Sequence, residues 1–149
     1  MRCLYSVVAV AALAANSAVA QGQAITWGPA PAIFPAGAKM AVLQGDPSKP
    51  EMFTVRLDFP NGYRVAPHFH PTDEHVTVIK GTLLLGMGDK LDRSNTSALL
   101  TGGFATAAAN MHHYAIAKGR TIVQVSAIGP FALTYVNPAD DPSPKAKAQ

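Results

Sequence analysis

Residues 52–59 read MFTVRLDF, with Phe53, Val55, Leu57 and Phe59 on one parity and Thr54, Arg56 and Asp58 on the other. A period of two marks a strand with one buried face. Pro60, Asn61 and Gly62 then supply a turn. Similar pieces recur: KMAVLQ (39–44) before GDPSKP, HVTVIK (75–80) before Gly81, TLLLGM (82–87) before Gly88 and Asp89, TIVQVSAI (121–128) before Gly129 and Pro130, and FALTYV (131–136). No window sustains a helical period over ten or more residues, although DKLDRSNTSALL (89–100) has room for one or two helical turns. Short strands with Gly and Pro between them predict an all-β sandwich or barrel. Val76, Val78, Leu83, Leu85, Val123 and Val125 are the expected inward positions. The chain has no internal repeat.

The ends of the chain narrow what folds. Residues 1–20, MRCLYSVVAVAALAANSAVA, place one positive charge (Arg2) before an apolar run, then Ala18, Val19 and Ala20 before a polar QGQ. That layout predicts a cleaved secretory signal and hence an exported, periplasmic or secreted, protein. The apolar run is shorter than the roughly 20 residues that span a bilayer. Cys3, the single cysteine, falls in the signal, so the mature chain has none and depends on its core or a metal rather than on disulfides. The remaining 129 residues suit one domain: an N-terminal extension over 21–38, a barrel over 39–136, and a flexible tail expected over 137–149, whose apolar residues are no larger than alanine. The formal charge of +3 falls to +2 without Arg2 and is scattered, with no basic run. Neither a nucleic-acid groove nor stable membrane insertion after cleavage is expected.

Candidate chemistry concentrates in APHFHPTDEH (66–75), which holds three of the five histidines. In an extended segment His68 and His70 face one side and Phe69 the other. Pro71, Thr72 and Asp73 form a turn that can bring Glu74, at the head of the next strand, beside the two imidazoles. With Glu74, Val76 and Val78 inward, His75 faces away. Two neutral nitrogen donors and a carboxylate, without a thiolate, suit a divalent transition metal. A solvated histidine loop is the competing explanation.

The frame around the cluster decides between them. Gly62, five residues, His68, one residue, His70, three residues, Glu74, six residues and Gly81 reproduce the first motif of the cupin superfamily, which this part of the chain strongly resembles. The segment similar to the second motif is GGFATAAANMHHYAIA (102–117), where Ala108, Asn110 and Ala117 replace the family's proline, inner glycine and terminal asparagine. Asparagine tolerates the positive φ that such a turn demands. In this register His113 is the fourth ligand and His112 faces the other way; a shift of one residue would exchange them.

The resemblance covers roughly residues 41–136 and implies a double-stranded β-helix, or jelly-roll barrel, with one divalent transition metal ion (Fe, Mn, Ni, Cu or Zn) held by His68, His70, Glu74 and His113 near one mouth. By analogy with the family it also implies a small-molecule ligand or substrate and a homodimer. Four protein ligands on a six-coordinate ion leave positions open, which suits a small-molecule oxygenase or related oxidoreductase, a metal-dependent isomerase or hydrolase, or a non-catalytic binding protein. Met111 and Tyr114 flank the second histidine position as possible cavity edges. Thr77, Gln124 and Asp73 are the candidates for fixing the ligand tautomers.

Overall fold

The computed structural model describes residues 24–144, which form nine strands and a 3-10 turn, with no α-helix among them. The strands are β1 (Gly28–Pro29), β2 (Lys39–Gln44), β3 (Met52–Phe59), β4 (Arg64–Phe69), β5 (Glu74–Met87), β6 (Ser97–Leu100), β7 (Phe104–Ala107), β8 (His113–Ile128) and β9 (Thr134–Tyr135). No helix of the described residues is long and apolar enough to cross a membrane. The signal expected over residues 1–20 lies outside the described residues.

Strand β8 is the spine. Along one edge it pairs with β5, from His75 opposite Ser126 to Met87 opposite His113. Along the other it pairs first with β3, from Met52 opposite Ile128 to Phe59 opposite Thr121, and then with β4, where His68 lies opposite His113. Strands β2 and β1 extend the sheet beyond β3, β9 lies beyond β4, and β6 and β7 lie beyond β5. All pairings are antiparallel.

HVTVIK and TLLLGM, two strands by sequence pattern, are one strand that bends. The β5–β8 register shifts between Val78 and Lys80 and again between Lys80 and Thr82, and such irregularities bend the strand and sharpen its twist. Gly81 sits at the bend with φ +83°, where a Cβ would lie 2.5 Å from the Arg120 carbonyl oxygen. TIVQVSAI likewise extends backwards to His113 in one strand. Bends in two long neighbours curl the sheet over itself, and the inner faces meet as the core.

That core follows the period of two. Phe53, Val55, Leu57, Phe59, Val65, Val76, Val78, Leu83, Val123 and Val125 are each no more than 5 % exposed, and Leu85 is also buried, so all six expected inward positions lie inside. The opposite parity forms the outer face: the Thr54 and Ser126 hydroxyls are 2.9 Å apart, and Arg56 Nε donates to Gln124 Oε1 at 3.1 Å.

Two other expectations, for residues 89–100 and 131–136, needed revision. Residues 89–100 contain no helical turn; Asp92 caps a turn by accepting from the Ser94 amide at 2.8 Å, and Ser97–Leu100 is strand β6. Of FALTYV only Thr134–Tyr135 pairs as a strand. In the tail, Asn137 accepts from the Ala139 amide and caps the 3-10 turn Pro138–Asp140. The extension ahead of β2 is fastened to the barrel: Tyr135 donates to the Ile33 carbonyl at 2.8 Å, and Tyr63 to that of Pro35. Burial raises both phenolic pKa values, that of Tyr135 to about 12. Ile33 and Phe34 are thereby held against the open end of the sheet.

Candidate metal centre

Three chain segments build the site. His68 is the last residue of β4 to pair with β8, His70 follows directly after the strand, and Glu74 opens β5 after the turn at residues 71–73. His113 arrives at the start of β8 through a turn in which Asn110 has φ +62°, the only non-glycine residue with positive φ among those described. Two hydrogen bonds lock that turn onto the first histidine segment: the Asn110 amide donates to the His70 carbonyl at 2.8 Å, and the Ala109 amide to Asp73 Oδ1 at 2.8 Å. Segments forty residues apart in the chain are therefore held side by side before any ion is considered.

His68, His70 and His113 are all buried, and one ring nitrogen from each lies within 4.8 Å of the others. Glu74, also buried, places Oε2 at 3.3 Å from His113 Nε2 and 3.6 Å from His70 Nε2. Nitrogens about 2.1 Å from one ion lie roughly 3 to 4 Å apart, so only a small closing movement separates this arrangement from a coordination sphere. His112 is on the outer side, its Nδ1 2.6 Å from Asp89 Oδ1 and its ring stacked on Phe69. His75 also faces outward, with Nδ1 3.0 Å from the Thr106 hydroxyl.

The hydrogen bonds assign the tautomers. Nδ1 of His68 is 2.7 Å from the Ala66 carbonyl oxygen, that of His70 is 2.8 Å from Ala132 O, and that of His113 is 2.9 Å from Met111 O. A carbonyl oxygen only accepts, so each imidazole carries a proton on Nδ1 and, in its neutral form, presents a bare lone pair at Nε2. Nε2 of His70 and of His113 is buried without a hydrogen-bond partner. Buried polar atoms are rarely left so, and a metal ion is the partner this donor set fits. Asp73, Gln124 and Thr77, the side chains expected to fix the tautomers, do not: Asp73 accepts from Ala109 and Gln124 from Arg56. Backbone carbonyls do the work instead, and because every residue has one, side-chain identity carries no signal for them.

The electrostatics suit a cation. Burial pushes His68 down to about 3, with His113 and His70 adding to the effect. Burial likewise holds His70 below the ordinary imidazole value. For His113 burial also disfavours the charged form, but the adjacent Glu74 carboxylate outweighs it and the pKa rises. Burial would raise Glu74, yet the three imidazoles draw it below the usual carboxylate range. The pocket thus combines an anionic oxygen with nitrogen lone pairs.

These groups line one side of a cavity of about 40 Å³, with space for an ion and two or three water-sized ligands. Every other wall residue is apolar, among them Val65, Val76, Leu85, Val123, Phe131 and Leu133. Tyr114 does not edge this cavity. Its ring is fully buried on the other face of β8, against Gly86, with its hydroxyl 2.9 Å from the carbonyl oxygens of Asp92 and Asn95. Met111 is exposed. Phe34 and Phe131, which do line it, escaped the sequence pattern. Phe34 stands in a proline-rich extension whose only hint is the apolar pair Ile33–Phe34 between prolines, and Phe131 falls in a segment that pairs only in part.

Residues 9–134 match a family described as a domain of unknown function (DUF4437). The chain belongs to the DUF4437 family. A search of curated protein sequences gives no significant match. Among solved structures this DUF4437 protein is similar to the polyketide cyclase RemF from Streptomyces resistomycificus, at 15% identity and TM-score 0.65, over 83% of this chain and 92% of the other. It is similar to a candidate acetylacetone dioxygenase from Methylibium petroleiphilum PM1, at 22% identity and TM-score 0.60, over 94% of this chain and 90% of the other. An RmlC-like cupin from Shewanella frigidimarina matches at 18% identity and TM-score 0.53, over 64% of this chain and 81% of the other. The DUF4437 chain therefore has the cupin fold, the double-stranded β-helix implied by its first motif.

Proposed function

We propose that His68, His70, Glu74 and His113 hold one divalent transition metal ion, and that the protein is an exported small-molecule oxygenase or related oxidoreductase. The observation that carries the metal is the pair of buried, unpartnered Nε2 atoms on His70 and His113, facing the same space as the Glu74 carboxylate. Bound there, the ion supplies a redox centre or Lewis acid with open positions. Iron, manganese, nickel, copper and zinc all accept such ligands, and supply outside the cytoplasm selects among them.

Oxidative chemistry is preferred because, among the described residues, the four candidate ligands are the only ionisable ones in the chamber wall, whereas isomerases and hydrolases ordinarily place a separate proton carrier beside the substrate. The apolar walls exclude water, and the carbonyl-anchored imidazoles keep their lone pairs oriented. The fold itself does not choose, since its similar structures carry the names of both a cyclase and a dioxygenase.

The test is elemental analysis of untagged mature protein purified without chelator or added metal, followed by oxygen-electrode measurements with catechols and β-dicarbonyls. Near-stoichiometric iron, manganese, nickel or copper with oxygen uptake is expected. Zinc with turnover but no oxygen uptake would transfer the site to the isomerase or hydrolase class. Ligand-induced thermal stabilisation without any product would make it a binding protein. A metal-free protein that takes up none of these ions would end the metal proposal.

A further inference from the structure

A second cavity, of about 120 Å³, adjoins the metal chamber. The two share five wall residues: Phe34, Leu57, Val125, Phe131 and Leu133. Every residue lining the second cavity is apolar; Ile33, Met40, Pro47, Phe53 and Val55 are among those that face it alone. Phe131 is the partition. Its ring stacks on His70 with centroids 4.5 Å apart and planes inclined at 24°, and it meets Phe53 edge-on at 5.3 Å. Two walls come from outside the curled sheet, the strapped Ile33–Phe34 segment and the loop before β9, and Ile33, Phe34, Met40 and Phe131 are each only part-buried. The chamber is thus bounded in part by loop side chains rather than by β-sheet alone.

Close packing normally leaves few voids larger than a water molecule, and a wholly apolar one offers water no hydrogen bonds. A cavity of about 150 Å³ with comparable walls stays dry and takes up benzene, so about 120 Å³ accommodates one ring after a small adjustment, or a short alkyl chain. We infer that this second chamber receives the apolar end, a single ring or short alkyl group, of a small ligand whose oxygen-bearing end reaches the histidine cluster past Phe131. Its polar half rests on the metal proposal above; its apolar half does not. The substrate class that follows is a compound with two chelating oxygens attached to a hydrophobic group, in preference to a small dianion with none.

The experiment separates the two halves. Benzene, which has no oxygen, is titrated into the full mature protein with and without zinc and followed by the methyl NMR signals of Val55 and Val125. Acetohydroxamate and benzohydroxamate, chelators differing only in methyl against phenyl, are then compared on the zinc-loaded protein by calorimetry. Saturable benzene shifts are expected irrespective of zinc, and burial of the phenyl group favours benzohydroxamate by at least about tenfold. Val55→Phe, which fills the second chamber, should abolish the benzene shifts and erase that preference while acetohydroxamate still binds. Met40→Trp fills the same space from a half-exposed wall and gives the same readout if Val55→Phe does not fold. Absence of saturable benzene shifts overturns the inference, as do equal affinities for the two hydroxamates. Benzene binding in a protein that retains neither zinc nor a hydroxamate would support the chamber and remove the metal proposal.

Discussion

At the scale of single residues, the site depends on where protons reside. Carbonyl acceptors at Ala66, Ala132 and Met111 hold each imidazole with Nε2 bare, so histidine cannot be replaced by a residue that merely fills its volume. Alanine at His68, His70, Glu74 or His113 is expected to bring metal content well below stoichiometric, measured by elemental analysis. His112→Ala should retain full metal, because that ring points outward to Asp89. A reversed result for His112 and His113 would overturn the ligand assignment. Tyr114 illustrates the other face of the same strand. Tyr114→Phe leaves the ring in place but frees two carbonyls of the 92–95 turn, which should cost about 1 kcal/mol in denaturant unfolding without changing metal content.

At the scale of elements, the bend shared by β5 and β8 places Glu74 and His113 in one chamber. Gly81→Ala introduces a side chain at positive φ and into the Arg120 carbonyl; a loss of roughly 1–3 kcal/mol is expected from backbone strain alone, read from urea unfolding. Beside that bend Arg120 of β8 grips Asp58 of β3 with Nε at 3.0 Å and Nη2 at 2.6 Å. Hydrogen bonding to this guanidinium holds the Asp58 carboxyl below its ordinary value of 3.8. A depressed carboxylate pKa contributes stability above the unfolded value and loses it as pH falls through the folded one. The difference in Tm between wild type and Asp58→Asn should therefore stay constant from neutral pH to about pH 4 and shrink below it. A constant difference down to pH 2 would show that the pair does not contribute through its charge.

At the scale of the whole molecule, the single cysteine, Cys3, leaves the chain no internal disulfide to constrain its unfolded state, and stability rests on the apolar core and on the ion proposed above. Metal that binds only the folded chain stabilises it by about 2.7 kcal/mol when free metal exceeds Kd a hundredfold. Chelator treatment should lower Tm by several degrees, and restoring the native ion should reverse the change. A Tm indifferent to chelator, in protein shown to lose its metal, would mean that the folded barrel is fully formed without the ion.

The period of two along β2, β3, β5 and β8 was sufficient for an all-β barrel and its inward valines, because alternation follows from backbone pleating and needs no knowledge of partners. The resemblance of the spacing from Gly62 to Gly81 to the first cupin motif likewise pointed to His68, His70 and Glu74, whose relation a short turn between two strands fixes locally. Long-range placement was beyond such patterns. Whether HVTVIK and TLLLGM were two strands or one depended on what a bulged backbone meets across the sheet at Arg120. The Ala132 carbonyl that orients His70, and the strap that brings Phe34 against the cavity, are contacts between segments 62 and 102 residues apart. Sequence alone determined which side chains were available for chemistry. Only tertiary structure decided that His113 rather than His112 lies beside them, because the left-handed turn at Asn110, tied to His70 and Asp73, sets which of two adjacent rings faces inward.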